Sequence, residues 1–103
     1  MRTIMTPDIV WSLPGASQIS GEARGIEAVI TRCKVITGYG LDFALKQVLY
    51  GQHGFTLSLN NTARHGDSFL DENLATVCSL QGDQINRIDT YLSDVSMADA
   101  FFR

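Results

Sequence analysis

Residues Pro7–Gly15 read PDIVWSLPG. Ile9, Val10, Trp11 and Leu13 form a short apolar run holding one large aromatic, which reads as a strand bordering an interior. Pro14-Gly15 ends it, because proline lacks a ladder donor and glycine accepts turn dihedrals. The strand DIVWSL stands almost at the start of the chain. The GASQISGEARG that follows reads as a loop.

Working outward, the clearest periodicity comes next. Ile26, Val29, Ile30 and Cys33 recur at i, i+3, i+4 and i+7, which predicts a helix from Ile26 to about Thr37. Glu27, Thr31, Arg32 and Lys34 take its other sides. Gly25 can serve as the N-cap, and Glu27 in the first turn suits the helix dipole. TGYG stops the helix. Four strand-like segments then follow, Leu41–Tyr50, Phe55–Arg64, Phe69–Leu80 and Gln84–Leu92. The turns GQHG, RHGD and QGDQ separate them, each with glycine, a spacing that favours antiparallel hairpins. The closing VSMADAFF reads as a short helical turn or a tail packing its two phenylalanines.

The plan is α+β: one strand, a helix, then a four-stranded meander. A long, strongly curved antiparallel sheet of this kind makes a cone-like frame, with the helix on its concave face and a cavity inside. At 103 residues the chain, 1–103, is one domain. Hydrophobic residues make up 45% and charged residues 18%, which is globular composition. The net charge is −3 and no Lys/Arg cluster occurs, so nucleic acid is not an expected partner. The apolar runs are too short for a bilayer span and the N-terminus lacks a signal-peptide core, so a cytoplasmic protein without membrane contact is expected. Cys33 and Cys78 fall in apolar patterns and read as buried free thiols. No Cys/His spacing fits a metal, and no cofactor is expected.

TPDIVWSLPG with ISGEARGIEAV resembles the front half of the SnoaL-like and ketosteroid-isomerase-like group in the nuclear transport factor 2-like superfamily. LQGDQINRIDTYLSDVSMADAFF resembles its last hairpin and tail. The resemblance spans essentially the whole chain and implies the cone-shaped frame. It does not fix a function, because this frame carries isomerases, cyclases, hydrolases, dehydratases and plain binders. Members of the group usually carry one or two helices before the PDIVW strand, covering the wide mouth of the cone. Here MRTIMT precedes Pro7, so either the sequence starts late or a shortened member leaves an apolar opening.

The resemblance also implies which chemistry to test for. The catalytic base of ketosteroid isomerases falls on Leu13, and their oxyanion-hole carboxylic acid on Ala75. Their tyrosine donor belongs to the helices missing here. Leu13 and Ala75 can neither take a proton nor hold an enolate oxygen, so steroid-type isomerisation is not expected. The last-strand motif of limonene-epoxide hydrolases falls on Asp89–Ser93, where Thr90 replaces the functional aspartate.

Alternation along each strand then assigns faces. It places Trp11 and Leu13 inward, with Thr56, Ser58, Asn60 and Thr62 on the second strand of the meander. Asn73, Ala75 and Val77 follow on the next strand, and Ile88, Thr90 and Leu92 on the last. Two readings of this pattern stand. Either neutral hydroxyls and amides line a ligand pocket and the opposite face, Phe55, Leu57 and Leu59, forms a homodimer interface, or the register is off, Leu57 and Leu59 are core, and the Thr/Ser/Asn row is solvent-exposed. Among single residues, Trp11 suits both stacking on a planar ligand and core packing. His53 and His65 sit in turns and read as solvated. Asp89 with Arg87 and Tyr91 reads as an outward-facing group. Asp94 and Ser93 compete as the cap of the tail. Asp71 and Glu72 are adjacent on a strand, point to opposite faces and cannot work as a pair. Asn60 and Asn73 are the best polar pocket residues, since an amide both donates and accepts.

The expected function is binding of a small, largely apolar molecule in a neutral polar pocket, with the reaction unassigned. The alternative is a non-catalytic dimeric interaction module with a filled interior.

Overall fold

From Asp42 onward the chain turns back on itself three times, as the three glycine turns require. A computed structural model describes residues 4–103. Its elements are β1 (Met5–Leu13), β2 (Gly21–Arg24), α1 (Ile26–Thr37), β3 (Asp42–Tyr50), β4 (Gly54–His65), β5 (Ser68–Gln81), β6 (Gln84–Leu92) and α2 (Val95–Phe101). They form one curved, unclosed sheet in the order β2-β1-β6-β5-β4-β3. The α+β class and the antiparallel β3–β6 meander are as the sequence predicts.

Two features of the first third differ from the sequence reading. GEAR is not loop but the edge strand β2, antiparallel to β1, with Ala23 opposite Trp11. Its four residues alternate too briefly to show a period, and only Ala23 is buried. Strand β1 begins at Met5 rather than Asp8, and it runs parallel to β6, with Trp11 opposite Ile88. The chain returns to β6 only after the whole meander, so no local signal announces that partner.

Helix α1 forms where its periodicity places it, and Gly25 takes the N-cap position at φ 90°. That left-handed backbone favours glycine. The amide of Gly25 also donates to Ile9 O at 2.7 Å, tying the helix start to β1. Ile26 and Val29 are buried, but so is Arg32, which the amphipathic reading puts among the polar sides. The tail is helical, and Asp94 rather than Ser93 is its cap: Asp94 Oδ1 accepts from Met97 N at 3.0 Å.

The core lies in two clusters along the concave side. Met5, Ile9, Ala23, Ile26 and Val29 pack under the start of α1. Leu13, Ile19, Leu70, Ala98, Phe101 and Phe102 pack where α2 lies against β5. Trp11 touches both and spans the gap between them. Burying these apolar side chains is the main favourable term for a chain of this size.

Candidate functional site

A cavity of about 210 Å³ opens beside the second of these clusters and is lined by its Leu13, Ile19, Leu70, Ala98 and Phe102. Its floor is the concave face of β4, β5 and β6, and α1 contributes Cys33, Ile36 and Thr37 to its wall. Trp11, Leu13, Thr90 and Leu92 line it, on the face where alternation places them. Ile88 shares that face but packs under α1 instead of reaching the cavity.

Strands β4 and β5 face the other way from the sequence reading. Leu59 and Asn61 line the cavity from β4, and Leu70, Glu72, Leu74 and Thr76 line it from β5. Ser58, Asn60, Thr62, Asn73 and Ala75 are therefore on the convex side, together with Thr56 and Val77. Phe55, Leu57 and Leu59 belong to the concave side, and a convex-face dimer cannot rest on them.

One residue causes the whole inversion. Gln81 pairs with Gln84 and Leu80 with Ile85, but Ser79 then pairs with Arg87. Asn86 is the extra residue, a β-bulge, and it shifts the pairing by one. Thr76 comes to lie opposite Thr90 and Leu74 opposite Leu92. An uninterrupted hairpin would have set Ala75 opposite Thr90. The β4–β5 pairing is regular throughout, so it passes the inversion on to β4.

The cavity wall is therefore mostly hydrocarbon. Thr90 is satisfied, since its Oγ1 accepts from Trp11 Nε1 at 2.9 Å. The unexpected member is Glu72, 2% exposed. Its Oε1 accepts from Ser93 Oγ at 3.2 Å and from Asp94 N at 3.0 Å. Its Oε2 is buried and has no partner. Burial pushes the carboxyl above the usual glutamate range, and the nearby Asp94 and Asp71 charges add to this; the two hydrogen bonds at Oε1 oppose it. Directly opposite Glu72 on β4 stands Asn61, whose Oδ1 is likewise buried without a partner.

The sequence does carry a signal for Glu72. If Asp71 and Glu72 point to opposite faces, one of them must face inward. Leu70, Leu74 and Cys78 stand at even spacing around Glu72, so its face is the apolar one. Asp71 lies on the other side, where its Oδ1 accepts from Asn60 Nδ2 at 3.0 Å.

Of the other singled-out residues, His53, His65, Cys78, Arg87, Asp89 and Tyr91 are not on the cavity wall, and Cys33 is. His53 and His65 are exposed, and the His65 ring tilts against Tyr39. Arg87 Nε donates to Asp89 Oδ2 at 3.0 Å on the outer face, and Tyr91 is exposed there. Cys33 and Cys78 are free thiols, half-buried and buried respectively, and burial pushes both above the usual thiol range. Arg32 lies behind Trp11, outside the cavity lining. It donates to the carbonyls of Trp11 (2.9 Å), Ser20 (3.3 Å) and Gly21 (3.1 Å), and its guanidinium lies 5.1 Å from the Trp11 ring centre. Among the described residues no group of three or more His, Cys, Asp or Glu is placed to hold a metal ion. No helix among them is long and apolar enough to cross a membrane.

No family model and no curated protein matches the chain. Solved structures do match. Bal32a, from a soil-derived mobile gene cassette, superposes with a TM-score of 0.91 at 24% identity, over 98% of this chain and 80% of that one. An NTF2-like protein from Burkholderia xenovorans LB400 gives 0.77 at 12% identity, over 93% and 76%. A candidate SnoaL-like polyketide cyclase from Jannaschia sp. CCS1 gives 0.72 at 16%, over 89% and 69%. At these identities the likeness is one of fold.

Proposed function

We propose that this chain, which has the cone-like fold of the NTF2-like proteins, binds a small and largely apolar molecule in its concave cavity. Glu72 is the ionisable group that meets the ligand, and the residue placed to exchange a proton with it. The observation that carries this reading is Glu72 Oε2, a buried carboxylate oxygen with no protein partner on a wall that is otherwise mostly hydrocarbon. A carboxyl left this way costs stability, and such groups concentrate where a ligand or reaction uses them. Its raised pKa favours the protonated form more than in an ordinary glutamate, so the carboxyl can return a proton as well as accept one. The fold neighbour named as a candidate polyketide cyclase is consistent with a small organic ligand. A filled, purely structural interior fits less well with a cavity of about 210 Å³.

The test is calorimetric titration of the protein with naphthalene, an apolar probe without polar groups. Saturable binding is expected, and Leu74→Trp, which fills the cavity from β5, weakens it at least tenfold while the circular dichroism stays that of the wild type. No binding, or binding indifferent to Leu74→Trp, would contradict the reading.

A further inference from the structure

Asn61 and Glu72 face each other across the β4–β5 pair, both on the cavity wall. They are 8% and 2% exposed, and each keeps one oxygen with no partner. Buried polar atoms are nearly always paired, so two unpaired ones on facing residues of one cavity wall mark a place where another polar group belongs. Glu72 Oε1 is already engaged by Ser93 Oγ and Asp94 N, so Oε2 is the atom left over, and a proton on Glu72 belongs there.

We propose that the ligand carries a hydroxyl group which lies between Asn61 and Glu72 and bonds to both. This rests on the reading of the cavity as a ligand site and names the chemistry of what it takes. A hydroxyl both donates and accepts. When Glu72 is ionised, Oε2 accepts the hydroxyl proton. When Glu72 is protonated, Oε2 donates to the hydroxyl oxygen and the hydroxyl proton turns to Asn61 Oδ1. Whichever way the Asn61 amide is turned, a hydroxyl can answer it. An ether or ketone oxygen can only accept, so it leaves the Asn61 oxygen bare and loses Glu72 whenever the carboxyl ionises. An ammonium can only donate, and brings a full charge against a mostly hydrocarbon wall. The flat rings of Trp11, Phe43 and Phe102 on the same wall fit an aromatic skeleton, which makes a phenol or naphthol the matching class.

The experiment titrates the full chain at neutral pH with naphthalene, 2-methoxynaphthalene and 2-naphthol. The expected result is 2-naphthol binding at least tenfold tighter than its methyl ether, because the ether leaves buried acceptors unpaired. Asn61→Leu and Glu72→Leu each reduce that preference to threefold or less while still binding naphthalene. Thr76→Val, on the same wall but outside the pair, keeps it. Circular dichroism confirms that each variant is folded, and either of the first two suffices if the other is not. If naphthalene and the ether bind but the naphthol gains nothing, the hydroxyl assignment falls and the cavity reading stands. A preference that survives in the folded variants overturns the assignment too. If none of the three probes binds, both readings fall.

Discussion

Trp11 Nε1 donates to Thr90 Oγ1 at 2.9 Å, joining β1 to β6 on the concave face although 79 residues separate the two in sequence. Those strands run parallel and meet only after the meander is complete. The bond thus locks the two ends of the chain together at the cavity wall. Thr90 is buried, so removing its hydroxyl leaves the indole N–H without its acceptor. Thr90→Val is expected to cost about 1–2 kcal/mol in urea unfolding. Adding Trp11→Phe to Thr90→Val should then cost less than Trp11→Phe does alone, since the orphaned donor goes with the indole. Strict additivity would show that the bond contributes nothing.

Glu72 gives a pH dependence with a definite sign. Its folded pKa is raised by burial, so the folded state keeps the proton at pH values where the unfolded state has lost it. Below the unfolded value both states are protonated, and Glu72 lowers stability least. As pH rises from there through the folded value, stability falls and then levels off. Glu72→Gln removes the charge but keeps an oxygen for Ser93 and Asp94. It should be about 1 kcal/mol more stable than wild type at neutral pH and near equal to it in acid. Unfolding curves at the two pH values decide this, and a variant weaker than wild type at neutral pH contradicts it.

Arg32 is the side chain that ties α1 to the loop before β2 and to the β1 backbone. It serves three carbonyl acceptors, and no carboxylate partners it among the described contacts. Arg32→Met should cost about 2–4 kcal/mol, because charge-assisted bonds are lost and part-buried carbonyls lose their donor. Arg32→Lys keeps the charge but not the fork, and should fall between. Chemical denaturation of the two variants checks the order.

Gly15 is the close-approach point between the β1–β2 connection and α2. Its φ is 108°, and an added Cβ would stand 2.2 Å from Asp99 Oδ1, the oxygen that accepts from Ala16 N. Gly15→Ala should therefore cost about 1–3 kcal/mol from strained backbone and collision together. Asp99→Ala in the same chain should return only part of the loss, since it removes the collision and leaves the backbone strain. Thermal unfolding of the single and double variants separates the two terms.

How legible this was in the sequence differs by element. Ile26, Val29 and Ile30 announce α1, and the three glycine turns announce β3 to β6, because those signals are local. The pairing of β1 with β6 was not legible, since both partners look like ordinary strands and only tertiary contact unites them. The faces of β4 and β5 hinged on Asn86. A single bulge residue carries no distinctive signature, yet it moves every side chain of two strands to the other side of the sheet. The faces of Trp11, Leu13, Thr90 and Leu92 follow from alternation within β1 and β6 and do not depend on that bulge. Ser58, Asn60, Thr62, Asn73 and Ala75 lay beyond it. Glu72 could have been found by a rule that ignores register: a carboxylate alternating with Leu70, Leu74 and Cys78 sits on a buried face.

The most direct measurement is an NMR titration of the Glu72 side-chain carboxyl carbon, run with the cavity empty and again with naphthalene present. The free protein is expected to show a Glu72 pKa above the ordinary glutamate range, and naphthalene to raise it further by replacing water in the cavity that Glu72 lines. A Glu72 that titrates in the ordinary range and ignores naphthalene would contradict the claim that its free oxygen faces an apolar ligand site.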